Sequence, residues 1–255
     1  MSLITEIIEE SNSGMQNDWV KVSRRKGRRV GKATLTSAHF ASALEPTPSI
    51  PSLSLEQVKQ AHSQIAMHWK VSAACVRLRG LLSGCESTGD CGITRAICFG
   101  LGSFDPPDGV WEQRRKAHIQ LAAFLTLVEH FQGNASRRIR CIFQDPIFNS
   151  VDKAFIASLG HEVVESPIGF QLVGVETLVF GIHLYRDIYS QVIATHIPAV
   201  FVGTPYEVWE DAHGAENLDW ERMKNLDQLC AKVKFPENHT DTTFSSTTIH
   251  WRRKD

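Results

Sequence analysis

Ala96-Ile-Cys-Phe-Gly-Leu-Gly-Ser-Phe104 is the stretch on which the fold turns. Four apolar residues, two of them with strong strand preference, run into a Gly-Leu-Gly-Ser loop, the pattern of a buried strand feeding a tight turn. A long helical pattern follows from about Trp111 to Phe131, with Leu121, Phe124, Leu125, Val128 and Phe131 on one face. Ile139-Arg-Cys-Ile-Phe143 reads as a second strand that stops at Asp145-Pro146. A helix over Val151–Leu159, closed by Gly160, leads to a third strand at His161–Glu165. Thr177-Leu-Val-Phe-Gly181 is a fourth, followed by a helix near Tyr185–Thr195. Ala199-Val-Phe-Val202 is a fifth, with an acidic helix around Glu216–Cys230. Short strands alternating with helices make parallel βαβ units. The expected fold class is therefore α/β: an open, mostly parallel, five-stranded Rossmann-like sheet.

Upstream, Ser54 and Gln57 form a capping-box start. Val58, Ala61, Ile65, Trp69, Ala73 and Val76 then recur at helical steps, which predicts one amphipathic N-terminal helix to about Leu82 with Gly84 as its stop. Residues 1–54 differ in kind. Residues 19–32 carry seven positive charges and no negative one, and 33–54 are rich in Ala, Ser, Thr and Pro. Such a composition cannot offset its ordering entropy by burial, so a flexible basic arm is expected there. The expected boundaries are an arm at 1–54, the α/β domain at 55–235 and a polar, loose tail at 236–255.

The chain has 255 residues, 27 Lys+Arg and 28 Asp+Glu. Near-neutrality excludes a domain that works as one large basic surface on nucleic acid. Setting aside the seven cations of residues 19–32 leaves 20 basic residues against 28 acidic, a formal −8. A cationic arm is thus joined to an acidic body. It is expected to contact acidic surfaces, import machinery or phosphates. No stretch is long and apolar enough for a membrane span, and Glu6, Glu9 and Glu10 do not fit a secretory leader, so no membrane association is expected. A cytoplasmic or nuclear location follows, with the six cysteines reduced. Cys98 and Cys141 read as small buried hydrophobes, and Cys85 and Cys91 flank a polar loop. No metal-ligand spacing is present, so no metal site is expected, and the residues name no cofactor.

In an open α/β sheet, ligands bind outside the carboxyl ends of the strands. The candidate ligand-binding residues lie on that edge. Gly100 and Gly102, with Ser103, would let the backbone approach a phosphate, a ribose or a methyl-donor nucleoside. Equally, these glycines would serve only a tight turn. Asp105 stands where a dinucleotide fingerprint has its third glycine, and Asp145 lies 45 residues after Gly100 rather than about 20. Pro146 holds Asp145 extended, aimed into the crevice or simply leaving the strand, with Asn149 or Ser150 capping the next helix. His183 sits beyond strand four, and Gly203 with Tyr206 beyond strand five. No nucleophile with an assignable base, phosphate loop or paired carboxylates accompanies them.

These same residues carry a resemblance. Trp19 with Arg24-Arg-Lys-Gly-Arg28, Gly100–Phe104, Gln120-Leu121, Asp145-Pro-Ile-Phe148 with Asp152, Leu159-Gly160, Thr177-Leu178 with His183 and Tyr185, and Gly203 before Tyr206 follow one another as in the SRR-type family (sensitivity to red light reduced). The likeness runs from about Trp19 to Trp209. Ile182-His183-Leu184 replaces the family's Pro-His-Cys, and Gly203-Thr204-Pro205 its Gly-Asn-Ser. The resemblance implies an intracellular regulatory protein on a Rossmann-like domain, acting through a protein partner or a small ligand. In plants such proteins are linked to light and circadian signalling, and elsewhere to microtubule-related and haem-related phenotypes. The competing expectation is a nucleotide- or S-adenosylmethionine-dependent transferase that uses the strand-end crevice.

Overall fold

The computed structural model describes residues 52–84, 92–133, 138–210, 219–237 and 242–253. The basic stretch 19–32, Cys85 and Cys91 lie outside the described residues. The frame is a seven-stranded sheet in the order β3-β2-β1-β4-β5-β7-β6. Its strands are β1 (Arg95–Phe99), β2 (Arg140–Gln144), β3 (Glu162–Val163), β4 (Thr177–Phe180), β5 (Val200–Gly203), β6 (Cys230–Lys234) and β7 (Thr248–Arg252). The first five are parallel, and β7 runs antiparallel to both β5 and β6.

Alternation of side chains decides the layering. Ala96 and Cys98 of β1, Leu178 and Phe180 of β4, and Val200 and Val202 of β5 face one core. Ile97, Phe99, Val179 and Phe201, one residue out of phase, face the other. Both faces are buried, so the strands read as unbroken apolar runs. The first core is closed by α1 (Leu55–Val71), α2 (Ala73–Gly84), α3 (Trp111–Gly133) and α4 (Ser150–Ser158). The second is closed by α5 (Ile168–Gln171), α6 (Arg186–Val192) and α8 (Trp220–Leu229), with α7 (Tyr206–Glu210) beside α8.

Two expectations are corrected. The single N-terminal helix is two, broken at Ser72, whose backbone is extended (ψ 149°). The Ser54–Gln57 capping box opens α1 as expected. Ser72 then ends α1 and offers its hydroxyl to the Cys75 N–H at 3.1 Å, capping α2. The five-stranded sheet is seven-stranded, because the expected loose tail after residue 235 returns as β7 between β5 and β6. Thr248-Ile-His-Trp-Arg252 reads as polar, yet Ile249 and Trp251 enter the first core and His250 is buried on the opposite face. At roughly 1.5–3 kcal/mol for each large apolar side chain removed from water, those two residues hold the strand in place. β6 was hidden differently, since α8 passes into it at Cys230 with no intervening loop.

Three histidines are held uncharged: half-buried His62 of α1, and the buried His118 of α3 and His250 of β7. Loss of hydration lowers their pKa values from 6.5 to about 4, about 3 and about 4. Neighbouring His62 and Arg114 push His118 the same way, while the Phe201 carbonyl partly opposes the shift of His250. The unfolded chain takes up these protons near pH 6.5 and the folded one does not. Stability therefore falls as pH drops from 6.5 towards 4. Urea unfolding is expected to show a lower midpoint at about pH 5 than at about pH 7.5. Equal midpoints would mean that the three rings are hydrated in the folded state.

Candidate functional site

At the carboxyl edge of the parallel strands, the connection from β1 runs to one face of the sheet and that from β4 to the other. The two connections diverge there, at the usual ligand position in such sheets. Four segments border it: residues 100–110 after β1, 145–149 after β2, 181–185 after β4, and Thr204-Pro205 after β5.

The glycine loop is held by carboxylates of the chain itself. Gly100 and Gly102 have φ of +64° and +87°, which only glycine adopts without strain. A Cβ at Gly100 would lie 2.6 Å from Leu184 Cδ2, so the β1 and β4 loops touch there. The Gly102 N–H donates to Asp145 Oδ2 at 2.8 Å, and Asp145 Oδ1 accepts the Ile147 N–H at 3.0 Å. Ser103 Oγ donates to Asp152 Oδ2 at 2.7 Å, and the Phe104 N–H to Asp152 Oδ1 at 2.8 Å. The Asn149 N–H reaches Asp152 Oδ2 at 3.0 Å. Asp152 is fully buried, and Asn149 in return caps α4 through the N–H groups of Val151 and Asp152, both at 2.9 Å.

A third carboxylate completes the cluster. Asp105, also buried, accepts the Leu53 N–H at 3.1 Å and faces Arg114 at 3.7 Å. Burial raises the pKa of Asp145, and the charge of Asp152 adds to this, against the two N–H donors that lower it. The strand-end carboxylate is thus half-buried, with each oxygen accepting one backbone N–H.

Of the candidate residues, Gly102 is bonded to Asp145, the neighbouring Ser103 to Asp152, and Gly100 to the Gln144 carbonyl at 3.2 Å. His183 stands on the adjoining loop, exposed, with φ +52°. Its Nε2 donates to the Ser245 carbonyl at 2.8 Å, so the 243–246 turn, in the segment expected to be loose, reaches the rim. Gly203 ends β5, and a Cβ there would lie 2.5 Å from the Phe201 ring and 2.9 Å from the Gly181 carbonyl. Its lack of a side chain serves packing. Tyr206 opens α7 and meets Trp220 edge-on at 5.9 Å, in the second core layer. Tyr189 is buried, donating to the Thr204 carbonyl at 2.6 Å, whereas Tyr185 is exposed.

Asp152, which belongs to the residues carrying the resemblance, and Asp105, at a fingerprint position, join the site without having been candidate ligand residues. The signal for Asp152 was the Asn149-x-x-Asp152 spacing, a capping box whose acidic partner also turns inward. Nothing local marked Asp105, because its partners are 52 positions upstream and nine downstream. Among the described residues no three His, Cys, Asp or Glu side chains converge as a metal set. Cys98 lies fully inside β1, and burial holds its thiol well above the ordinary range, so it is no ready ligand or nucleophile. No helix among the described residues is long and apolar enough to cross a membrane.

A protein-family profile described as the SRR1 domain matches residues 54–251. No curated protein shows a significant sequence match. Among solved structures, cofactor-bound Rv0187 from MTB is similar, with 12% identity over 78% of this chain and 91% of that one and a TM-score of 0.36. So is a putative methyltransferase from Thermobifida fusca YX, with 12% identity, 79% and 84% coverage and a TM-score of 0.32. The plantazolicin methyltransferase BpumL in complex with SAH has 7% identity, 78% and 98% coverage and a TM-score of 0.27. Likeness at this level carries no inference about ligand or reaction.

Asp152 tests the architecture. Asp152→Ala strands two buried N–H donors and a hydroxyl, each at about 1–3 kcal/mol, so a loss of roughly 3 kcal/mol or more is expected. Chemical denaturation of the two proteins measures it. A loss within about 0.5 kcal/mol, the range of an ordinary surface change, would show that the loop does not depend on this carboxylate.

Proposed function

The chain belongs to the SRR1-domain family, and from that premise we propose that it is an intracellular regulatory protein whose strand-end crevice binds a neutral or cationic nucleoside-type ligand. One observation carries the reading: the Gly102 and Phe104 amides and the Ser103 hydroxyl point at Asp145 and Asp152. A phosphate cradle needs such donors free. Here a polyphosphate would have to displace a carboxylate and then face its charge. Like charges about 4 Å apart repel by about 4 kcal/mol near a protein surface. The same arrangement favours a ligand that brings donors or positive charge, because Asp145 keeps acceptor capacity for a ribose diol or an ammonium group. S-adenosylmethionine, with a diol, an ammonium and a sulfonium, is the probe that matches best.

Regulation by ligand sensing predicts binding without turnover. The transferase alternative uses the same ligand and adds methyl transfer, with release of S-adenosylhomocysteine. The cationic stretch 19–32 is assigned to partner docking, through acidic surfaces, import machinery or phosphates, in the cytoplasm or nucleus. The light-response, circadian or cytoskeletal setting belongs to this same proposal.

Thermal melting of the full chain with S-adenosylmethionine, adenosine, ATP and NAD separates these readings. S-adenosylmethionine and adenosine are expected to raise Tm and ATP is not. Asp145→Asn, which keeps the shape, is expected to weaken the S-adenosylmethionine effect by about tenfold in apparent affinity, the size of one charge-assisted hydrogen bond. Stabilisation by ATP or NAD equal to that by S-adenosylmethionine, or none by any adenosyl compound, would sink the proposal. Deleting residues 19–32 is expected to abolish partner capture and nuclear entry while leaving the melting shift intact. Unchanged partners and localisation would remove the docking assignment.

A further inference from the structure

A cavity of about 150 Å³ lies where the break at Ser72 turns α1 into α2 beside α3. It shares no residue with the strand-end segments. Buried Trp69, Ala74, Ile119 and Phe244, with half-buried Ile65, make its apolar walls. The rings of Trp69 and Phe244 lie 5.7 Å apart, tilted by 55°. An apolar protein cavity of roughly that size holds a benzene molecule, so the space suits one six-membered ring and not two fused ones.

The polar groups around it favour a neutral ligand. Trp69 Nε1 donates to Thr126 Oγ1 at 3.0 Å, so the indole offers a ring and no donor. Arg115 also lines the cavity, and it already has a partner within the protein. An ion would therefore lose its hydration against hydrocarbon walls, with no guanidinium free to receive it. Ser72 differs. Its Oγ accepts the Cys75 N–H at 3.1 Å, which uses a lone pair and leaves the hydroxyl proton to give. Exposed His68, four residues earlier on the same lining, adds an imidazole that can accept. A hydroxyl on a ring is both acceptor and donor, so it complements this pair.

We propose that the cavity between α1, α2, α3 and the 243–246 turn is a binding site for a neutral, single-ring phenol. The ring sits against Trp69 and Phe244, and its hydroxyl meets Ser72 and His68. Ring burial supplies the affinity, the cavity size excludes a second ring, and the Ser72 hydroxyl favours phenol over the bare ring. The site stands or falls independently of the strand-end reading, since it uses none of that site's residues.

Calorimetric titration of the full chain with phenol, benzene, benzoate and 2-naphthol tests it. Phenol is expected to bind in about the millimolar range or tighter, as a ligand of this size can. Benzoate, with the ring and a charge, and 2-naphthol, with a second ring, are each expected to bind about tenfold more weakly or worse. Ser72→Ala should lower phenol affinity by about fivefold, the size of one neutral hydrogen bond, and leave benzene unchanged. General unfolding would not produce that split. Ile119→Phe, which fills the recess, should abolish binding of both phenol and benzene. Should that variant fail to fold, Ser72→Ala and the two selectivity comparisons decide. No phenol binding at about 10 mM, benzoate or 2-naphthol binding as tightly as phenol, or Ser72→Ala binding phenol like the wild type would each overturn the proposal.

Discussion

The buried carboxylate of Asp152 is the constraint on which the strand-end edge depends. A charge removed from water is tolerated only when hydrogen bonds replace its hydration. Ser103, Phe104 and Asn149 supply them, from the loop after β1 and from the cap of α4. The loops of two βα units whose strands pair directly are thereby locked together above β1 and β2. Asp145 repeats the device one step outward through Gly102, and Asp105 ties the beginning of the described chain to the same loop. The loop's donors are spent inward, on carboxylates of the chain itself.

That arrangement reverses the usual meaning of a glycine-rich turn. Glycines after a first strand commonly expose amides to a phosphate. In this protein the positive φ values of Gly100 and Gly102 turn the amide of Gly102 towards the second strand's acid, which burial has already made more basic. The 243–246 turn joins two regions: Phe244 packs on Trp69 of α1, and the Ser245 carbonyl accepts from His183 after β4. The C-terminal segment thus contributes to both, besides supplying β7.

Most of the fold could be read from residue order, for a physical reason. Strands β1, β2, β4 and β5 are buried on both faces, so their apolar runs stand out without knowledge of their neighbours. Helix α3 declares itself by period and α4 by its cap. The break at Ser72 could not be read, because the periodicity passes through it unchanged and only packing against α3 selects an extended residue. β7 escaped because a strand with antiparallel partners on both sides can carry Thr, His and Arg when those partners satisfy its backbone. At the site, Gly100, Gly102, Ser103 and Asp145 were placed on one edge by topology alone. Their mutual hydrogen bonds, and the acidic residues behind them, join positions 40 to 50 apart and have no local signature.

Sequence alone determined the α/β class, the parallel order of βαβ units and the edge on which the strand-end loops gather, because these follow from the period and burial of local segments. Tertiary structure alone decided the electrostatic character of that edge. Whether a backbone amide faces a ligand or a neighbouring carboxylate depends on which loops meet, and that is settled only when the strands are side by side.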